Sequence, residues 1–214
     1  MKNHFVLFDL DGTITDSSEG IVNSILYALD KMGVKEEDSD RLRSYVGPSL
    51  KETFRNNYFS NDKDCQQAIM NYREYYSEKG IFENKLYTDV LKVLKTIKDK
   101  GGVVALATAK PGYFAKIILN HFGINYYFDS IVGSHLRGTR TDKRDIIFEV
   151  LDQFGFPDSN HIYMVGDRKY DILGGKYHGL KTIGVEYGYA NHGELLKVNP
   201  DFIIQSPLQI LECF

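Results

Sequence analysis

The chain has 214 residues, with 26 Lys and Arg against 29 Asp and Glu and a formal net charge of -3. That length suits one core domain with a small accessory module, and the near-balanced charge gives no general pull toward nucleic acid or an anionic membrane. Two lone cysteines, Cys65 and Cys213, make no disulfide framework or metal-ligand spacing, and neither a signal-peptide pattern nor an apolar run of about 18 residues is found, so the expectation is a cytoplasmic protein.

The first predicted element is a short apolar strand from His4 to Leu10, closed by the turn Asp11-Gly12-Thr13. A block without strand signals follows, from Ser17 to about Gly80. Ile21, Ile25, Leu26 and Leu29 recur at helical spacing until Met32-Gly33. Further helices are expected over Ser39 to Val46, Ser49 to Tyr58 and Asp62 to Lys79, with a break at Gly47-Pro48. From Tyr87 the pattern alternates. Helices are expected over Val90 to Lys100, Tyr113 to Phe122, Asp142 to Phe154 and Asp171 to Tyr177. Between and after them come strands Val103 to Thr108, Phe128 to Val132, His161 to Val165, Thr182 to Val185 and Phe202 to Ile204. Strands separated by helices of this length imply an α/β fold, a parallel sheet covered on both faces. The helical block interrupts that pattern as an insertion.

Open sheets of this kind bind ligands beyond the carboxyl ends of their strands. Asp9 and Asp11 end the first strand, Thr108 ends another, and Asp167 follows the strand that ends at Val165. Asp9 and Asp11, two apart on an extended chain, face one side. Two such carboxylates repel unless a cation lies between them, and magnesium suits an oxygen-only pair. A turn with solvated acids is the plainer alternative, weakened by the strand before it. Asp167 and Asp171 form a second acidic pair, either helix cap or metal ligand. Lys143 falls in the first turn of a helix, where a cation is unfavourable unless an anion such as phosphate occupies the site. Arg168 and Lys169 pose the same question. The Thr108 hydroxyl and nearby backbone amides, from Ala109 on, offer donors for phosphate oxygens.

With these residues in place, the sequence resembles the haloacid dehalogenase-like superfamily over essentially its whole length. The motifs are Phe8-Asp9-Leu10-Asp11-Gly12-Thr13, Thr108, Lys143, and Gly166-Asp167 with Asp171. The first is highly specific, and the others gain weight from their order. The resemblance implies a Rossmann-like core, residues 1–15 and 84–214, and a small helical cap, residues 16–83, like that of the phosphoglycolate phosphatase-like branch. Gly47 and Pro48 would then lie in its specificity loop, with Lys51 nearby.

The resemblance further implies that Asp9 is a nucleophile that becomes phosphorylated and that Asp11 is the acid/base. Magnesium would be held by the Asp9 carboxylate, the Asp11 backbone carbonyl and the Asp167 side chain. Thr108, with Ala109, and Lys143 would grip the phosphoryl group, and Asp171 would orient Lys143 or a metal-bound water. The implied activity is hydrolysis of a small phosphate monoester, phosphoglycolate first. A 5'-nucleotide, pyrophosphate, or phosphosugar mutase chemistry are the alternatives. No nucleic acid, membrane or protein partner is implied.

Overall fold

A computed structural model describes residues 4–47, 49–136 and 139–214, and the backbone alone of Ser39 and Asp40. The chain divides into two compact units, residues 1–16 with 86–214, and residues 17–85.

The larger unit is built on a six-stranded sheet in the order β5-β4-β1-β6-β7-β8. The strands are β1 Phe5–Phe8, β4 Val103–Pro111, β5 Ser130–Ser134, β6 Ile162–Gly166, β7 Lys181–Val185 and β8 Phe202–Ile204. Every recorded pairing is parallel. All four residues of β1 are buried, as expected for a central strand covered on both faces. Phe5 and Leu7 pack with Ile146, Ile147, Val150 and Leu151 of helix α7 (Lys143–Gln153). Those positions fall at i, i+1, i+4 and i+5, on one side of a helix, so α7 lays an apolar stripe on the sheet. Helix α5 (Val90–Asp99) does the same with Val90, Val93, Leu94 and Ile97. Helices α6 (Gly112–His121) and α8 (Lys169–Tyr177) complete the crossovers. Strand order reverses at β1, with β4 on one side and β6 on the other, so the carboxyl end of β1 is a topological switch point.

The sequence pattern and the structure differ in places. Strand β4 runs on to Pro111, with a register shift between Thr108 and Pro111. Gly133 of β5 permits it, because a Cβ there would stand 2.5 Å from the Lys110 carbonyl oxygen. β5 starts two residues later than expected, after a 3-10 turn over Asn125–Tyr127. α8 starts two residues earlier, because Asp171 caps it by accepting from the Arg168 amide at 3.0 Å. Helix α9 (Glu194–Val198) and a 3-10 turn over Pro207–Glu212 carry too few periodic residues to stand out in sequence.

The smaller unit contains helices α1 Ser18–Lys31, α2 Ser39–Ser44, α3 Leu50–Asn57 and α4 Asp62–Tyr75. Here the expected helix to Lys79 instead passes into a π-helical turn, Tyr76–Gly80. A Cβ on Gly20 would overlap the Gly80 carbonyl, so α1 and this turn meet backbone to backbone. Two-residue strands β2 Thr15–Asp16 and β3 Lys85–Leu86 form a second sheet. Among the described residues no helix is long and apolar enough to cross a membrane, and Cys65 and Cys213 are free thiols.

Candidate active site

Asp9 directly follows β1, and its amide donates to the Val165 carbonyl at 2.9 Å, carrying the ladder one residue further. Asp167 directly follows β6. Carboxylate oxygens of Asp9, Asp167 and Asp171 lie within 4.8 Å of one another. Lys143, the first residue of α7, extends among them. Its Nζ stands 2.9 Å from Asp9 Oδ1 and 2.7 Å from Asp171 Oδ1, and donates to the Ala107 carbonyl at 2.9 Å.

One ammonium pairs with two of these three acids, and the proton affinities reflect it. Burial alone would lower Lys143, but the charges of Asp171 and Asp9 outweigh it and raise the group above the usual lysine value. Asp171 is pushed up to about 6, by burial first and then by Asp9, against the opposing pull of Lys143. Asp167, wholly inaccessible to solvent, is raised well above the ordinary range by burial and by the charges of Asp171 and Asp9. Such a site wants more positive charge than Lys143 supplies. Asp167 Oδ2 accepts from the Tyr189 amide at 2.7 Å, whereas its buried Oδ1 has no hydrogen-bond partner. An orphaned carboxylate oxygen among other carboxylates, with oxygen the only donor type, fits a hard divalent cation.

The turn after β1 packs against this cluster. Gly12 has φ +83, and a Cβ there would overlap the Asp167 carboxylate, so both backbone angle and space require glycine. Asp11 points elsewhere. Its two oxygens accept from Lys110 Nζ at 3.0 and 2.8 Å, and the lysine side chain is 7% exposed. The Thr108 hydroxyl, buried, accepts from the Lys110 amide at 3.2 Å.

Of the residues expected from sequence, the structure gathers Asp9, Lys143, Asp167 and Asp171 into one cluster. The Asp11 carboxylate lies outside the three-acid group and pairs with Lys110. Thr108 ends the regular part of β4, and Ala109 is solvent-exposed. Gly47 has φ +110, and Pro48 lies outside the described residues. Ser49 caps α3, accepting from the Glu52 amide at 3.2 Å, while Lys51 is 3.9 Å from Asp62. The side chain of Arg168 is paired with Glu194, and the Lys169 ammonium lies 5.2 Å from the Tyr170 ring centre. Sequence reasoning passed over Lys110, Tyr189 and Glu194. Lys110 had a usable signal, two residues beyond Thr108 and hence on the same side of an extended chain.

Acids and a buried ammonium at the switch point of a parallel sheet define an α/β enzyme core. A family model described as haloacid dehalogenase-like hydrolase matches residues 6–185. A 5'-nucleotidase from Pseudomonas aeruginosa is 38% identical over 195 residues, 91% of this chain and 88% of that protein. A phosphoglycolate phosphatase from Aquifex aeolicus is 28% identical over 207 residues, 97% of this chain and 94% of its own. The crystal structure of a predicted phosphatase from Clostridium acetobutylicum, 40% identical, has a TM-score of 0.90 and covers 99% of this chain and 100% of its own. The chain belongs to the haloacid dehalogenase-like hydrolases, as a phosphatase of the phosphoglycolate phosphatase-like branch.

Proposed function

We propose that the protein is a magnesium-dependent phosphate monoesterase that works through an aspartyl phosphate on Asp9, acting on a small metabolite in the cytoplasm. The observation that carries this reading is the orphaned Asp167 Oδ1, set within 4.8 Å of Asp9 and Asp171 oxygens beside the Lys143 ammonium.

In the first step an Asp9 carboxylate oxygen attacks phosphorus. The bond from phosphorus to the leaving oxygen breaks, and that oxygen takes its electron pair and a proton from Asp11. In the second step Asp11 accepts a proton from water as the water oxygen attacks phosphorus. The Asp9–phosphorus bond then breaks, releasing inorganic phosphate and the free carboxylate. Lys143 and the Thr108 hydroxyl, with the Ala109 amide, hold the phosphoryl oxygens, and Asp171 keeps Lys143 in place. Asp9 and Asp167 side chains, with the Asp11 carbonyl, would hold magnesium, which when bound supplies charge neutralisation for the phosphoryl oxygens.

Phosphoglycolate is the first substrate of this reading. A nucleoside 5'-monophosphate is the second, favoured by the higher identity to the Pseudomonas aeruginosa 5'-nucleotidase, 38% against 28% for the Aquifex aeolicus phosphoglycolate phosphatase. Core groups grip only a phosphoryl group, so we assign choice of leaving group to the helical unit, a cap in this reading. The experiment is a phosphate-release assay across a phosphometabolite panel, with acid quench and peptide mapping of the phosphorylated residue. Phosphate recovered on Asp9 and free phosphate in solution are expected. Transfer between sugar positions without release would replace hydrolysis by mutase chemistry, and label on any residue other than Asp9 would sink the mechanism.

A further inference from the structure

Glu194 sits at the first turn of α9, in the core unit but outside the cluster just described, and its carboxylate gathers an unusual number of donors. Oε1 accepts from Arg168 Nε at 2.9 Å and from the Lys169 amide at 2.9 Å. Oε2 accepts from Arg168 Nη2 at 3.2 Å, from the Asn191 amide at 3.3 Å and from Asn191 Nδ2 at 3.2 Å. Arg168 is 8% exposed and Glu194 9%. Burial by itself would raise the Glu194 carboxyl, but the bonds from Arg168 and the Lys169 amide hold it below the usual range. A two-pronged Arg–carboxylate pair of this kind fixes geometry as well as charge.

What the pair fixes is the backbone on either side of Asp167. Arg168 is the next residue, and its amide donates to Asp171 Oδ2 at 3.0 Å. On the other side, Asn191 belongs to the loop whose Tyr189 amide donates to Asp167 Oδ2 at 2.7 Å. Gly188 in that loop is so close that a Cβ would overlap the Asp167 side chain. Glu194 therefore ties residues 167–171 to residues 188–191. With Oδ2 committed to Tyr189, Asp167 has Oδ1 to offer a cation.

We propose that the Arg168–Glu194 pair is a positioning device for the metal site, holding Asp167 and Asp171 in register for a divalent cation. The proposal rests on the metal reading given above. It also removes Arg168 from the substrate-contacting residues, since its guanidinium is spent on Glu194.

The test is calorimetric titration of magnesium into the chelator-stripped full chain, wild type beside Glu194→Gln, with far-UV circular dichroism and thermal midpoints measured without metal. Loss of a group that orients a metal ligand typically weakens metal affinity by about 10- to 100-fold. Glu194→Gln should show a loss in that range with a native spectrum. Thermal destabilisation with unchanged magnesium affinity would make the pair merely structural and overturn the proposal. If Glu194→Gln does not fold, Arg168→Lys keeps the charge and loses the fork, so it should weaken affinity by a smaller factor; unchanged affinity there is equally fatal. Wild-type protein that binds no magnesium would sink the metal reading itself, a result distinct from failure of the pair.

Discussion

Charged residues are used in opposite ways in the two units. In the core, Lys143, Asp167 and Asp171 are at most 5% exposed, and each touches a partner from elsewhere in the sequence. In the helical unit, the ion pairs Lys31–Glu74, Arg55–Asp62 and Lys85–Glu19 all stand in solvent. Exposed pairs contribute typically about 0–1 kcal/mol. Buried charges are expensive, and breaking a buried pair costs about 3–5 kcal/mol. Folding alone gives no reason to bury three acids with one ammonium, so the core cluster calls for a chemical role. Among its described residues the helical unit gathers no comparable group of buried charges, and under the proposed function its contribution would be leaving-group choice.

The comparison breaks most decisively at Asp9. Asn keeps the size of the side chain and removes the anionic nucleophile, as well as the charge facing Lys143. Steady-state turnover of Asp9→Asn on the best substrate should fall on the order of 10^4- to 10^6-fold, the scale seen when a nucleophile is lost. Verified folded protein retaining a tenth of wild-type activity would mean that the buried cluster is structural after all.

A smaller effect sharpens the same contrast through pH. In the metal-free protein, the folded-state pKa of Asp171 is raised to about 6 and that of Asp167 is raised as well. A carboxyl raised on folding contributes stability that is full below its unfolded value and lost as pH rises through its folded value. The cluster therefore costs stability above about pH 6. Magnesium should offset that cost, and its ligands must be deprotonated to bind it. Thermal unfolding with and without magnesium should show a larger gain at pH 7.5 than at pH 5.5. At a hundredfold excess over Kd the gain is about 2.7 kcal/mol. An equal gain at both pH values would detach the metal from these acids.

How much of this was legible in the sequence depended on distance along the chain. The Asp9-Leu10-Asp11-Gly12 turn showed because strand, acids and glycine are contiguous. Asp167 and Asp171 showed for the same reason. That Lys143 joins Asp9 to Asp171 follows from α7 packing on the sheet beside α8, which no local pattern states. Lys110 was missed because β4 was expected to stop at Thr108, and its continuation depends on Gly133 in another strand. Arg168 was legible as a misplaced cation but not as half of a pair, since Glu194 is 26 residues away in a five-residue helix. In the helical unit, the length of α4 was overstated because the π-helical turn is set by the contact of Gly80 with Gly20.

The smallest expected effect tests the other side of the comparison, at the start of α3. Gly47 holds φ +110, where any side chain is strained. Ser49 caps the helix through the Glu52 amide, and losing such a cap costs about 1 kcal/mol. Variants at either position would confuse folding with specificity. Lys51 is the clean probe, because its side chain is 55% exposed and its nearest recorded partner, Asp62, is 3.9 Å away. Lys51→Ala should shift stability by less than about 1 kcal/mol. If the helical unit selects the leaving group, the same change should alter kcat/KM for phosphoglycolate relative to a small aryl phosphate by a few-fold. The comparison is made as a ratio in one preparation, so any loss of active protein cancels. A ratio equal to wild type, extended over a panel of variants at 47–51, would assign this loop to folding and move the search for specificity elsewhere in the unit.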